Sequence, residues 1–225
     1  MSLAGWLLPV RCPRCGQPGP APCQGCVNAA TVAPGVPCPA GVDDCRAAFL
    51  YDGVGRSFIA PLKYRGNRSL VPWLVRCLGE LADEAAAASD RPFDVVTWVP
   101  ASRPNRRRRG FDQGELLARR LARQLSLPSA QLLRRIDRTS QTGRSREGRV
   151  AGPGLRVSGR PGAHVLIVDD VVTTGASLAA AGRALRGAGA DRVTAVAAAY
   201  TPATGARSEP RCRPNGVDLL PDSMR

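Results

Sequence analysis

Val165-Leu166-Ile167-Val168-Asp169-Asp170-Val171-Val172-Thr173-Thr174-Gly175-Ala176-Ser177 is the stretch on which the reading of this chain turns. Four apolar, partly β-branched residues with no polar alternation predict a strand buried on both faces. The two aspartates mark where it emerges at its carboxyl end. From Ser177 onward Leu178, Ala181, Leu185 and Ala188 recur at helical spacing until Gly187 and Gly189 interrupt them. The unit is therefore strand, acidic pair, small-residue loop, helix, the repeating element of a parallel α/β sheet.

Such a loop suits a sugar phosphate. Backbone N–H groups of Thr173 to Ser177 fall at the amino end of a helix, where unpaired donors and the helix dipole favour an anion. Gly175 lets the chain approach it closely. The threonine and serine hydroxyls add donors. Asp169 and Asp170 would repel a phosphate, but as acceptors beside one they match the vicinal hydroxyls of a ribose.

The stretch resembles the motif with which type I phosphoribosyltransferases bind 5-phosphoribosyl 1-pyrophosphate (PRPP): an apolar run, Asp-Asp, two or three small or apolar residues, Thr-Gly. The resemblance implies that Asp169 and Asp170 hold the ribose hydroxyls and act at the catalytic centre. It also implies a PRPP loop of Asp169, Asp170, Val171, Val172, Thr173, Thr174, Gly175, Ala176 and Ser177. A buried strand ending in a solvated acidic turn is the plainer alternative. A receiver domain is a sharper one, but its acidic pair sits near the start of the domain, whereas 55 residues follow Asp170 here.

A chain of 225 residues with 44% hydrophobic content accommodates one domain of ordinary size plus an appendage. The net charge of +14 is nearly all arginine, Lys63 being the single lysine. A basic surface attracts phosphates, on a small substrate or on nucleic acid. Aromatic residues make up 4%, too few for a base-stacking platform. No apolar run approaches a membrane span, and the opening Leu3–Val10 stretch lacks the basic leader and long apolar core of a signal peptide. A cytoplasmic location without membrane insertion is expected, with eight cysteines present as thiols or metal ligands.

Cys12-Pro13-Arg14-Cys15 and Cys23-Gln24-Gly25-Cys26 are two CxxC knuckles close together in a glycine- and proline-rich segment. Cys12, Cys15, Cys23 and Cys26 can close a tetrahedral structural Zn²⁺ site, which would supply folding energy on the order of 10 kcal/mol or more. Reduced structural cysteines and a redox CxxC are the alternatives. Cys38 and Cys45, in a proline-rich linker from about Thr31 to Asp44, lack a CxxC partner and leave a second metal open. Cys77, with Leu74, Leu78 and Leu81 on one helical face, reads as buried filler, and Cys212 as a tail thiol.

Around the central stretch, strands are expected at Ala47–Tyr51, Asp94–Pro100 and Arg192–Tyr200, and a helix over Leu70–Ala88. Residues 101–113 read as a strand-to-helix loop carrying Arg106 to Arg109, followed by a helix that Asp112 and Glu115 open with a capping box. Ligand groups collect on such loops in open α/β folds. Arg108, Arg109 and Lys63 are thus candidates for a pyrophosphate site, with a solvated basic loop or nucleic-acid patch as the alternative. The polar segment Arg134–Val150 reads as a mobile flap or an ordinary connection. His164, at the far end of the strand from the aspartates, carries little catalytic weight.

In this order the pieces resemble the ComF/GntX family, bacterial proteins with an amino-terminal cysteine knuckle and a phosphoribosyltransferase domain, some linked to DNA uptake. The resemblance rests on the four knuckle cysteines, Leu62-Lys63-Tyr64, Arg108-Arg109-Gly110-Phe111-Asp112-Gln113, Gln141 with Ser145 and Arg149, and the phosphoribosyl loop. It departs from the family's pattern at Asp112, Arg144 and Gly152, and Cys38 with Cys45 stands where many members have a second cysteine pair. The resemblance implies an α/β fold: a type I phosphoribosyltransferase-like parallel-sheet domain over 46–200 and a four-cysteine zinc-ribbon-like knuckle and linker over 1–45; the tail over 201–225, rich in Pro, Gly and Arg, is expected to be disordered. It implies a transferase that uses Mg²⁺ with PRPP and an unknown acceptor. Single-stranded DNA or the DNA-uptake machinery is a candidate partner. A non-catalytic DNA-binding accessory protein and a PRPP-sensing regulator are the alternatives.

Overall fold

In the computed structural model the described residues are 10–64, 66–136 and 153–202. Their central sheet contains β1 (Asp44–Leu50), β2 (Val95–Trp98), β5 (His164–Val172) and β6 (Arg192–Tyr200) in the order β1-β6-β5-β2, every pair parallel. β5 is interior, with Val168 opposite Trp98 on one side and Val196 on the other. Both faces of the sheet are covered, so successive residues of β5 enter different cores and the strand shows no polar alternation. Leu166 and Val168 join Phe49, Phe58, Trp73 and Leu74 on one side; Val165 and Ile167 join Leu178, Ala181 and Leu185 on the other.

The first core is built by α2 (Gly53–Tyr64), α3 (Val71–Ala87) and α5 (Gln113–Gln124). Phe49, Phe58 and Trp73 form an aromatic triad with ring centroids 5.0–5.8 Å apart, edge-on for two pairs and stacked for Phe49–Trp73. Cys77 is buried on α3, and desolvation pushes its thiol up to about 12, as befits filler. The second core lies under α6 (Ala176–Gly187). Its Gly182 faces the chain at Gly41, where a Cβ would come within 2.6 Å of the Gly41 carbonyl oxygen.

Several local expectations are revised. The strand of the central stretch does not stop at the aspartates but continues through Val172, paired with β6 as far as Val172 opposite Tyr200. The run Arg106–Arg109 is helical, in α4 (Arg103–Arg109), rather than a loop. Ser102 caps α4 by accepting from the Asn105 N–H, Pro104 occupies the first turn, and Gly110 closes it at φ 76° in the left-handed region. Gly53–Tyr64, to which the sequence reading gave no element, is helical, because the Asp52 carboxylate accepts from the N–H groups of Val54 and Gly55 and starts α2. Asp112 caps α5 as expected, accepting from the Glu115 N–H at 3.3 Å, but the Glu115 side chain pairs with Arg119 instead of reaching back.

The proline-rich segment after the knuckles is packed against the domain. Val32 bridges Phe49, Val36 and Val42 are buried, and Pro39 lies against Gly175. A short α1 (Gln24–Asn28) carries Cys26 and Val27 into the same core as Phe49 and Trp73. At the β2 edge an antiparallel pair, β3 (Leu133–Arg135) with β4 (Leu155–Val157), forms a stem. The segment between them, read from the sequence as a flap or an ordinary connection, lies outside the described residues beyond Ile136, as does the tail beyond Pro202. His164 is buried, with Nδ1 2.9 Å from the Arg91 carbonyl oxygen and Nε2 3.0 Å from Thr194 Oγ1; burial lowers its pKa. Among the described residues no helix is long and apolar enough to cross a membrane.

Candidate functional site

The acidic pair lies on the last turns of the β5 ladder, with Asp169 opposite Ala197. Asp169 Oδ1 accepts from the Asp170 N–H at 2.8 Å. Desolvation and the neighbouring Asp170 charge push its carboxyl up to about 7, opposed by that N–H and by Lys63. Asp170 is held differently: Lys63 Nζ donates to its Oδ1 at 3.0 Å and lies 5.5 Å from the ring centroid of Tyr51. The lone lysine is therefore the counter-ion of the second aspartate. Tyr51, which follows β1, is a component that no sequence pattern had marked.

Beyond the ladder, Thr173 and Thr174 are exposed, and Gly175 at φ 70° turns the chain into α6. Thr174 Oγ1 accepts from the Ala176 N–H at 3.4 Å. The loop is backed by Pro39, whose Cγ would stand 2.9 Å from a Cβ at position 175. Gly175 is thus required both by its left-handed φ and by this close approach. Val171 and Val172 belong to the strand, so the freely presented part of the motif is Thr173–Ser177.

The arginine run divides by helical periodicity. Arg108 and Arg109 lie 5.7 and 5.9 Å from the ring centroid of Tyr64, the neighbour of Lys63, and Arg109 Nη1 donates to Gln113 Oε1 at 2.7 Å. Arg103, Arg106 and Arg107 face the β3–β4 stem instead. Asp112 secures the turn after β2: its buried carboxylate accepts from the Ala101 N–H at 2.7 Å, and desolvation raises its pKa. Arg135 Nε donates to the Pro100 carbonyl oxygen at 2.7 Å; burial lowers its pKa while the charges of Asp112 and Asp169 act against that. Nothing in the sequence pattern singled out Arg135, because one arginine among so many carries no signal.

The knuckle cysteines converge. The Sγ atoms of Cys12, Cys15, Cys23 and Cys26 all lie within 4.8 Å of one another, and Arg14 Nη1 is 3.5 Å from Cys26 Sγ. Four thiol sulfurs gathered this closely are the donor set of a tetrahedral Zn²⁺ site, so the cluster can hold Zn²⁺. Cys45 is buried on β1, its thiol pushed up to about 12 chiefly by desolvation, and Cys38 is exposed; both lie outside the four-cysteine group.

Residues 112–213 match the family model described as phosphoribosyl transferase domain. The domain has a parallel-sheet α/β fold of the phosphoribosyltransferase kind. Among solved structures, the chain is 26% identical to orotate phosphoribosyltransferase from Aeropyrum pernix, with a TM-score of 0.40, covering 60% of this chain and 61% of that one. The chain thus spans under two thirds of that relative's length. Purine phosphoribosyltransferase from Pyrococcus horikoshii is 18% identical (TM-score 0.38; 59% and 80% covered), and an adenine phosphoribosyltransferase 19% identical (TM-score 0.42; 63% and 75% covered). No curated protein matches the chain.

Proposed function

We propose that this protein binds Mg²⁺-PRPP and transfers its phosphoribosyl group to an acceptor. The observation that carries this reading is the continuity of the acidic pair at the carboxyl end of β5 with the left-handed turn at Gly175 and the amino end of α6. A nucleic-acid backbone binder has no use for two carboxylates beside its phosphate loop; a ribose phosphate needs both. The family match over residues 112–213 supports the same conclusion.

In this reading the backbone N–H groups and hydroxyls of Thr173–Ser177 hold the 5-phosphate, and Asp169 and Asp170 accept from the ribose 2- and 3-hydroxyls. The bond from ribose C1 to the pyrophosphate oxygen breaks with its electron pair passing to pyrophosphate, while the acceptor's nucleophilic atom bonds to C1 and gives up a proton. Positive charge developing on the sugar lies near the acidic pair, so electrostatics and positioning carry the step without a covalent nucleophile. Arg108 and Arg109 receive the departing pyrophosphate. Lys63 leans from Asp170 toward the same anion when the ribose hydroxyls take its place. Carboxylate oxygens are the donors that Mg²⁺ prefers, and the ion when bound with PRPP supplies charge neutralisation at the leaving group.

The four-cysteine cluster, together with Arg108 to Gln113 before α5, supports membership of the ComF/GntX family, with Zn²⁺ in a structural role and a cytoplasmic site of action. Calorimetric titration with PRPP and Mg²⁺, run beside the Asp169→Ala/Asp170→Ala variant, tests the assignment. Micromolar binding lost in the folded variant is expected. Absence of binding by zinc-loaded wild type would remove the enzyme reading.

A further inference from the structure

The backbone of Tyr51 is fixed on both sides. Its N–H donates to the Tyr200 carbonyl oxygen at 2.7 Å, and the next residue, Asp52, caps α2. The first turn of α2 is pressed onto the end of β1, where a Cβ at Gly55 would run into the Leu50 carbonyl oxygen. Tyr51 itself is half-buried against the core that holds Phe49 and Phe58. The far end of the same helix brings Lys63 back to it, with the ammonium 5.5 Å from the ring centroid.

The ammonium thus has two neighbours, one anionic and one aromatic. Asp170 Oδ1 is 3.0 Å away, and the ring lies within reach of a cation–π contact. A lysine in the last turn of a helix ordinarily extends toward water, favoured there by the helix dipole. This one is turned inward and largely covered. It also stands in a chain whose basic residues are otherwise all arginine. A guanidinium is a broad planar fork suited to one bidentate seat, whereas an ammonium is a compact charge on a flexible stem that can pass between two.

If Asp170 takes a ribose hydroxyl, Lys63 stands in the way, because it already occupies an oxygen that the hydroxyl would use. Asp169, the other carboxylate in range of Lys63, is claimed by the same sugar. We propose, on the phosphoribosyl reading of the β5 site, that Tyr51 is a positioning residue whose ring holds the Lys63 ammonium when the sugar displaces it from Asp170. Paired with a carboxylate, an ammonium presents little net field to the ring. Parted from it, the full charge acts on the ring face and the attraction grows. The ring therefore favours the displaced arrangement and lowers the cost of clearing Asp170. Without it the ammonium returns to Asp170 in competition with the sugar, because a covered charge with no partner is costly.

Two sets of measurements on the full, zinc-loaded chain test this. Calorimetric titration with PRPP and Mg²⁺ should show a roughly 5-fold or greater loss of affinity in Tyr51→Leu, and recovery of most of it in Tyr51→Phe, which keeps the ring. Replacing Tyr51 by phenylalanines carrying one, two and three ring fluorines should weaken binding stepwise, since fluorine withdraws the charge that attracts a cation and barely alters the ring's shape. A packing role for the ring would not produce that gradient. The second set needs no ligand: urea unfolding of Lys63→Met, Tyr51→Leu and the double variant gives the coupling of the two side chains. That coupling should be larger in an Asp170→Asn background than in wild type. Equal affinities of the Leu and Phe variants, a flat fluorine series, or a coupling no larger in Asp170→Asn would overturn the proposal. If wild type bound no PRPP, the β5 reading would fall and ribose displacement with it, whereas the unfolding cycles would still decide whether Tyr51 carries Lys63.

Discussion

The ammonium of Lys63 lies 3.0 Å from Asp170 Oδ1, and the two side chains are only 13% and 14% exposed. Two elements far apart in sequence, the last turn of α2 and the end of β5, are joined by this one contact. Removing one partner of a largely buried pair leaves a stranded charge, which costs more than the pair contributes. Lys63→Met should therefore destabilise the protein by about 2–3 kcal/mol, and adding Asp170→Asn should recover most of that loss. Urea unfolding of the single and double variants measures the coupling. An additive cycle would show that the contact contributes nothing.

Asp169 makes function and stability respond to pH in opposite directions. Its folded-state pKa of about 7 stands above the unfolded value of about 3.9. The native protein thus holds a proton that the unfolded chain has released. The resulting stabilisation is fully present below about pH 4 and is lost as pH rises through about 7. If Asp169 holds the ribose hydroxyls as proposed, PRPP affinity draws on the ionised carboxylate and should instead rise through pH 7 as this one group ionises. Asp169→Asn should melt higher than wild type at pH 8, by about 1–2 kcal/mol equivalent, while losing PRPP affinity. Calorimetry from pH 5.5 to 8.5 tests both arms. Because Lys63 helps to keep Asp169 ionised, Lys63→Met should move the binding midpoint upward.

Gly175 meets two separate constraints that a variant series can resolve. Alanine there must adopt φ near 70° and place its Cβ 2.9 Å from Pro39 Cγ. The left-handed conformation costs about 1–2 kcal/mol for a residue with a Cβ. Gly175→Ala should lower stability by at least that amount and weaken PRPP binding as the phosphate loop shifts. Combining it with Pro39→Ala should return the steric part and leave the conformational part. Thermal unfolding of the three variants separates them, and identical losses in single and double variants would mean that Pro39 does not confine the loop.

How much of this was legible before the fold depends on where the signal resides. The β5 unit was readable because both its burial and its chemistry are local: an unbroken apolar run, then carboxylates, then glycine. The knuckle cysteines were readable for the same reason. Helix α4 was obscured because arginine is a good helix former that also populates loops, and what decides between them is the capping by Ser102 and Gly110. The Lys63–Asp170 contact, the backing of Gly175 by Pro39 and the Arg134–Arg156 pairing each join residues from different elements. No periodicity within one segment encodes them; they exist only once parallel strand order brings the segments together.

The cysteine cluster is continuous with the main core, which sets what metal removal should do. Cys12 and Cys26 are 1% and 3% exposed and share a core with Val27, Phe49, Phe58 and Trp73, whereas Cys15 is exposed. With Zn²⁺ bound, four thiolates at the edge of this core are tied together by the metal; without it they take up protons and the segment loses the bonds that fix it against the core. Chelation should therefore lower the melting temperature of the whole chain in a single transition rather than release an independent amino-terminal unit. Cys15→Ser and Cys12→Ser should both abolish stoichiometric zinc, measured by atomic absorption. Cys12→Ser should be the less stable of the two metal-free proteins, because its hydroxyl is buried among apolar groups. Retention of one equivalent of zinc by Cys15→Ser would remove that residue from the ligand set, and equal stability of the two apo variants would separate the knuckle from the core.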